Sequence, residues 1–372
     1  MSINEIIMII MVIFMVVGAV DKIIGGKLGL SEQFEEGINA MGALAMSMVG
    51  IIVIAPVLAD LLSPIVVPAY QAIGADPSMF ATTLLANDMG GAPLAVKMAI
   101  DPQAGMFAAT ILGAMMGPTI VFTIPVALGI IEKDDHKFLA TGVLSGLVTI
   151  PIGCLIGGLA AGMPIGMIGR NLVPIILFAV LIMIGLALAP EKMIKGFTVF
   201  GQGVVVVAVI GLVLGAMDLL IGFNPIEQFT PFHIEPVTEG IEVVGGIALT
   251  LAGAFCLVSV ITRVFNKPLM KVGALLGMNE TAAAGMVATL ANSIPMFQMM
   301  KDMDDRGKIL NVAFAVSAAF VFGDHLGFTA GFAQEMLFPM IVGKLTAGIT
   351  ALFVAQFMAN RMLGKGGTEQ AA

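Results

Sequence analysis

The sequence predicts an all-α polytopic membrane protein made of inverted repeats, with about nine full transmembrane helices and two re-entrant helical hairpins flanked by broken helices. Three observations lead there. The chain is 59% hydrophobic and only 11% charged over 372 residues, with a mean hydropathy of +1.05, outside the range of soluble domains. Its two halves carry a common series of short motifs. Its basic residues gather in alternate loops, which orients the crossings.

The repeat runs in one order through both halves. Gly18, Ala19, Asp21, Ile24 and Gly25 recur as Gly215, Ala216, Asp218, Ile221 and Gly222. Glu32-Gln33-Phe34 is matched by Glu227-Gln228-Phe229, Glu36-Gly37-Ile38 by Glu239-Gly240-Ile241, and Leu85-Ala86-Asn87 by Leu290-Ala291-Asn292, with Pro93 and Pro295 closing the series. Collinear blocks over half the length indicate an internal duplication, and duplicated, inverted halves are a device of secondary transporters. The expected division is a first repeat at 1–162, a linker transmembrane helix in 163–195, a second repeat at 196–363 and a polar cytoplasmic tail at 364–372.

In chain order, the run at 6–20 follows Glu5 rather than a basic leader and lacks a small-residue cleavage site, so it reads as a retained span. Full spans are expected near 4–22, 38–60, 105–130, 138–161, 171–189, 197–221, 241–262, 308–332 and 336–360, each near the length of about 20 residues that crosses hydrocarbon. The stretches at about 64–102 and 268–303 fit no single crossing. In the first, Asp76-Pro77 starts a helix that runs to Ala86, Asn87-Asp88-Met89-Gly90-Gly91-Ala92 breaks it, and Pro93 begins another. Ten helical residues rise about 15 Å, half the hydrocarbon thickness. In the second, Asn279 caps a helix to Leu290, Asn292-Ser293-Ile294 breaks it and Pro295 restarts it. The pieces at 64–73 and 268–277 are expected to lie along the interface.

If both hairpins return to the side they enter from, one set of loops collects Lys22 and Lys27, Lys133 and Lys137, Lys192 and Lys195, then Arg263, Lys267 and Lys271, leaving the other side little more than Lys97 and Arg170. The positive-inside rule then puts the N-terminus outside and the C-terminus in the cytoplasm. The single span at 171–189 inverts the second copy.

Irregular backbone at membrane depth is tolerated only where protein buries it or it lines a cavity, so the two tips point to a central polar site. The spans after the hairpins also break, at Gly117-Pro118 and at Gly323-Asp324-His325. Ionisable residues at such depth are functional candidates, Asp88 and Asp324 foremost. No Lys or Arg falls at a tip or break, which suits a cationic substrate. Asp88 could instead cap the second half-helix, and Asp324 could be a buried partner of His325. Asn87, Asn292 and Ser293 could bind a hydroxyl or cap their own backbone; Phe322 and Phe328, with Phe320, could offer a π face to a cation or simply pack. His325 suits a proton carrier or a hydrogen-bond donor as well as a structural role. Glu280 reads as first-turn helix chemistry, with a gate or ion ligand as the rival. Asp21 and Asp218, at span ends, read as caps or anchors.

The net charge of -8 comes from loop carboxylates and excludes a nucleic-acid partner. Cys154 and Cys256 lie in apolar runs and form no disulfide framework. No HExxH, GxSxG or cysteine-histidine constellation supports an enzyme, and no cofactor is expected.

With the Leu85 to Pro93 tip, the Asn279-Glu280-Thr281 turn and the Phe322-Gly323-Asp324-His325 break in place, the chain resembles, over essentially its whole length, the EutH-type ethanolamine permeases of bacterial ethanolamine-utilisation operons. The resemblance implies uptake of ethanolamine across the bacterial inner membrane. It assigns no residue roles. Ethanolammonium, one compact charge and one hydroxyl, matches a site of aspartates and asparagines. The hairpins and broken spans are expected to form a mobile unit, and the remaining spans a scaffold in the lipid bilayer able to support a homodimer. The alternatives are a permease for another small amine or zwitterion such as choline, with or without a coupled ion, and a structural membrane subunit.

Overall fold

A capping box starts the chain. The Ser2 hydroxyl accepts the Glu5 N–H while the Glu5 carboxylate accepts the Ser2 N–H, so α1 (Ile3–Ile23) begins with its first amides satisfied. The computed structural model describes residues 1–366, and no strand forms among them. The long helix α2 (Ser31–Ala72) leads to a hairpin of α3 (Ser78–Leu84) and α4 (Gly91–Met98). Next come α5 (Pro102–Leu112), α6 (Met116–Ile130), α7 (Lys133–Ala160) and α8 (Ile165–Leu188). The second half comprises α9 (Pro190–Ile221), the short α10 (Pro225–Phe229), α11 (Val237–Leu275), the hairpin α12 (Glu280–Thr289) and α13 (Ser293–Met299), then α14 (Asp305–Ala318), α15 (Asp324–Phe332) and α16 (Leu337–Gly366).

Among the described residues, seven helices are long and apolar enough to cross a membrane: α1, α2, α7, α8, α9, α11 and α16. The α5–α6 pair, bent by 43° at its break, makes an eighth if it is one span. This is a multi-pass membrane protein. The expected span at 308–332 consists of α14 and α15, of 14 and 9 residues, separated by residues 319–323. The expected tail at 364–372 lies outside the described residues from 367 onward, and α16 continues through Gly366.

Residues 64–72 and 268–275 are not separate interfacial pieces. They continue α2 and α11, which carry Pro64, Pro68 and Pro268 in their interiors. A proline in a membrane helix need not end it, because neighbouring helices re-satisfy the freed carbonyls. The hairpin helices therefore occupy 78–98 and 280–299, less than the expected 64–102 and 268–303. Each hairpin is tied at its base. The Asp76 carboxylate accepts the N–H groups of Ile100 (3.1 Å) and Asp101 (2.8 Å), and Asp304 accepts the Asn279 N–H (2.8 Å), so the chain leaves each hairpin beside the point where it began.

The halves touch through matched glycines. A Cβ on Gly50 would fall 1.6 Å from the Ala208 carbonyl oxygen, and one on Gly253 would fall 2.2 Å from that of Met11. Gly50 and Gly253 stand at the same spacing after Gly37 and Gly240; Met11 and Ala208 stand at the same spacing before Gly18 and Gly215. The same reciprocity recurs where Gly18 meets Phe34 and Cys256 while Gly215 meets Val237 and Val53. It recurs again where Gly37 meets Ala252 and Gly240 meets Val49. Helix α1 accordingly packs on α11, and α9 on α2. In this register Phe34 corresponds to Val237. The Glu-Gln-Phe blocks fall on unlike elements, the second of them on the short α10.

Charged groups outside the breaks serve as fasteners. Asp21 accepts the N–H groups of Leu28, Leu30 and Ser31 at 2.6, 2.7 and 3.0 Å, the anchoring role expected of it. Lys308 pairs with Asp135 at 2.5 Å where both are buried, joining α14 to the start of α7.

Candidate functional site

The first tip forms because α3 cannot continue. Leu85 and Ala86 are extended, Asn87–Met89 make one 3-10 turn, and Gly90 at φ 84° turns the chain into α4. Gly90 is required twice over: the left-handed backbone favours it, and a Cβ there would lie 2.4 Å from Ile51 on α2. At the second tip Asn292 is extended, and its carboxamide oxygen accepts the Ile294 N–H at 2.9 Å to open α13. The capping alternative therefore holds for this asparagine. Its counterpart Asn87 does not cap: it is fully buried, and neither amide atom of its side chain has a partner.

Both tips dock on the following broken span by backbone hydrogen bonds. The Asn87 N–H donates to the Gly113 carbonyl at 2.9 Å; in the second half, Phe320 and Phe322 donate to Thr289 (3.2 Å) and Leu290 (3.0 Å). Each break presents a glycine to the tip. A Cβ on Gly117 would fall 2.0 Å from the Leu85 carbonyl oxygen, and one on Gly323 would fall 2.1 Å from that of Ala291. Phe320 holds φ 63°, the only positive value outside glycine among the described residues, at the turn that makes this docking.

The broken spans also meet each other. The Thr119 hydroxyl donates to Met115 within its own break and lies 3.2 Å from the Val316 carbonyl of α14, and the Phe122 ring packs edge-on against Phe320 at 5.3 Å. Phe320 in turn lies 5.4 Å from the His325 ring. His325 is not paired with its neighbour Asp324. Its Nε2 lies 4.0 Å from Oδ1 of Asp88, across the two halves, with the two side chains only 3% and 16% exposed. Its Nδ1 has no partner, nor do the buried hydroxyls of Ser293, Thr289, Ser317 and Thr329. Buried polar atoms without partners are uncommon in native structures.

Asp324 begins α15 and opens instead on a cavity of about 590 Å³ that also takes in Asn292, Gln33, Glu36, Asn39 and Arg263. Phe322 is half-buried beside it in sequence. Phe328 is committed elsewhere, stacked on Phe332 at 5.1 Å and fully buried. Glu280 is exposed in the first turn of α12, about 15 Å of helix from the tip, which leaves it at the hairpin base.

One residue escaped the sequence reading. Lys344 of α16 is 1% exposed, and its Nζ donates to the Ala114 carbonyl, next to the Gly113 carbonyl that holds the first tip. No cation sits on a tip or a break, but this one reaches a break from a neighbouring helix. A lone lysine inside the apolar run 336–360 was the available signal, the same one that singled out Asp88 and Asp324.

The family described as ethanolamine utilisation protein EutH matches residues 3–358. The chain is 73% identical over 365 residues to the probable ethanolamine permease EutH of Listeria monocytogenes, covering 98% of this chain and 96% of that one. It is 51% identical over 391 residues to the protein of the same name from Escherichia coli, covering 96% of each, and 52% identical over 358 residues to the uncharacterized protein YxeR of Bacillus subtilis, covering 96% and 95%. No solved structure matches.

Proposed function

Because the chain belongs to the EutH family of ethanolamine utilisation proteins, we propose that it is a permease that takes up ethanolamine, as ethanolammonium, across the bacterial inner membrane. The observation that carries the reading is the pair of hairpin tips, each docked on the glycine of a broken span, with Asp88, Asp324 and His325 between them. A primary amine is protonated at neutral pH. Carboxylates with buried hydroxyl and amide atoms then supply an acceptor for the ammonium and partners for the hydroxyl. Asn87, Asp88, Asn292, Ser293, Asp324 and His325 form the proposed site, Phe322 borders it, and Phe328, stacked on Phe332, and Glu280, at the base of the second hairpin, stand outside it.

The reciprocal glycine contacts support two halves inverted about an axis in the membrane plane, at 1–162 and 196–363, and the tied hairpin bases support re-entrant hairpins. With α14 and α15 taken together as one broken span, the count is nine crossings, N-terminus outside and C-terminus cytoplasmic. The cavity at Asn292 and Asp324 lies toward Arg263, on the side that the basic loops mark as cytoplasmic, so this conformation faces inward. Exchange of conformation between the halves would expose the site outward. A cation entering a negative-inside cell gains about 2.3 kcal/mol per 100 mV, sufficient to drive accumulation without a coupled ion.

The test is uptake of labelled ethanolamine into proteoliposomes of the purified protein, with and without a negative-inside potential. Saturable uptake that rises with the potential and resists competition by propanol is expected. Absence of uptake under any gradient would remove the reading.

A further inference from the structure

Two partly buried carboxylates, Asp88 and Asp324, and one buried lysine, Lys344, lie around the tips, and their surroundings differ. Asp88 sits at the first tip, 4.0 Å from the His325 ring. Its chain neighbour Asn87 donates its N–H to Gly113 and Lys344 donates to Ala114, so Lys344 ends at the carbonyl next to the one that holds the first tip. That places the buried ammonium beside the tip that carries Asp88. Among the described residues the Lys344 Nζ forms no direct ion pair, and a single carbonyl is a poor substitute for the water an ammonium loses on burial. Asp324 opens on the cavity that it shares with Glu36, Asn292 and Arg263.

We propose that Lys344 is the resident counter-charge of Asp88, which leaves Asp324 as the uncommitted carboxylate that receives the ammonium of the substrate. The inference rests on the reading of the protein as an ethanolamine permease and assigns unequal roles to its two aspartates. In the empty site Asp88 and Lys344 neutralise each other within the protein. The arriving cation then meets the Asp324 carboxylate in the cavity that Glu36 also lines, beside the second tip and α15. Asp88 and Lys344 act as positioning residues, since together they hold the first tip against the α5–α6 break without a net charge. The loaded site, with two carboxylates and two cations, is neutral, as a unit moving through hydrocarbon needs to be.

A charge-pair rescue tests this in proteoliposomes. Asp88→Asn leaves Lys344 unbalanced and repelling the substrate, and Lys344→Met leaves Asp88 unbalanced; each is expected to lower ethanolamine uptake at least tenfold. The double variant Asp88→Asn with Lys344→Met restores uptake to within about fivefold of the parent, a gain that a purely structural lesion in either residue would not produce. Asp324→Asn lowers uptake at least tenfold and is not rescued by Lys344→Met. The inference is overturned if the double variant is no better than the worse single one, if Lys344→Met alone transports normally, or if Lys344→Met rescues Asp324→Asn instead. Should the parent protein take up no ethanolamine, it is the permease reading that fails.

Discussion

His325 Nε2 lies 4.0 Å from Oδ1 of Asp88, so the break of the second half reaches the hairpin tip of the first. The pair joins the first tip to the second break, and it does so beside the Phe320 ring, whose own backbone is held in a left-handed turn. His325→Ala is expected to lower uptake at least tenfold, whereas His325→Gln, which keeps a hydrogen-bonding group of similar reach, stays within a few fold. Transport rates of the two variants at equal protein in the vesicles check this; equal behaviour would assign His325 to packing.

The docking of each tip on a glycine predicts a steric lesion. Gly117→Ala and Gly323→Ala place a methyl group about 2 Å from the Leu85 and Ala291 carbonyl oxygens, so the tip must move off its break. Overpacking of this kind costs roughly 1–3 kcal/mol. A lowered melting temperature in detergent together with lost uptake is expected, while alanine at the open Gly129 or Gly166 should change neither.

The Asp135 and Lys308 pair fastens α14 to α7 away from the tips. Lys308→Met leaves a buried carboxylate alone and is expected to destabilise the protein by about 3–5 kcal/mol, while the double variant with Asp135→Asn recovers most of the loss. Denaturation of the purified variants measures both. An additive double variant would contradict the pairing.

The hairpins were readable because their punctuation is local: Asn279 caps its helix where the sequence puts it, the first tip breaks at Leu85 to Gly90, and the second breaks at Asn292, with its next helix starting at Ser293 rather than at Pro295. Prolines misled the boundaries. Pro64 and Pro268 opened the expected separate segments but sit inside continuous helices, because packing against neighbours decides whether a proline ends a membrane helix. Partner choice was not readable. Asp324 next to His325 invited a local pair, whereas the fold turns His325 toward Asp88 and Asp324 toward the cavity, a choice made by contacts between halves more than 200 residues apart in sequence. Lys344 was missed for the same reason: it lies in an unbroken helix and reaches the α5–α6 break only through the packing of α16. The Glu-Gln-Phe blocks match in sequence yet fall on α2 and on the short α10, a difference of setting that the residues themselves do not carry.

The claim that the two tips belong to inverted halves exposed alternately is tested most directly by side-specific labelling. Cysteine is placed at Asn87 or at Asn292 in a background where the buried Cys154 and Cys256 are replaced, and a membrane-impermeant thiol reagent is applied to intact cells or to inside-out vesicles. The account predicts that Asn292→Cys, beside the open cavity, reacts from the cytoplasmic face, that Asn87→Cys reacts slowly and only from outside, and that ethanolamine slows both. Labelling of both positions from the same face, unchanged by ethanolamine, would contradict it.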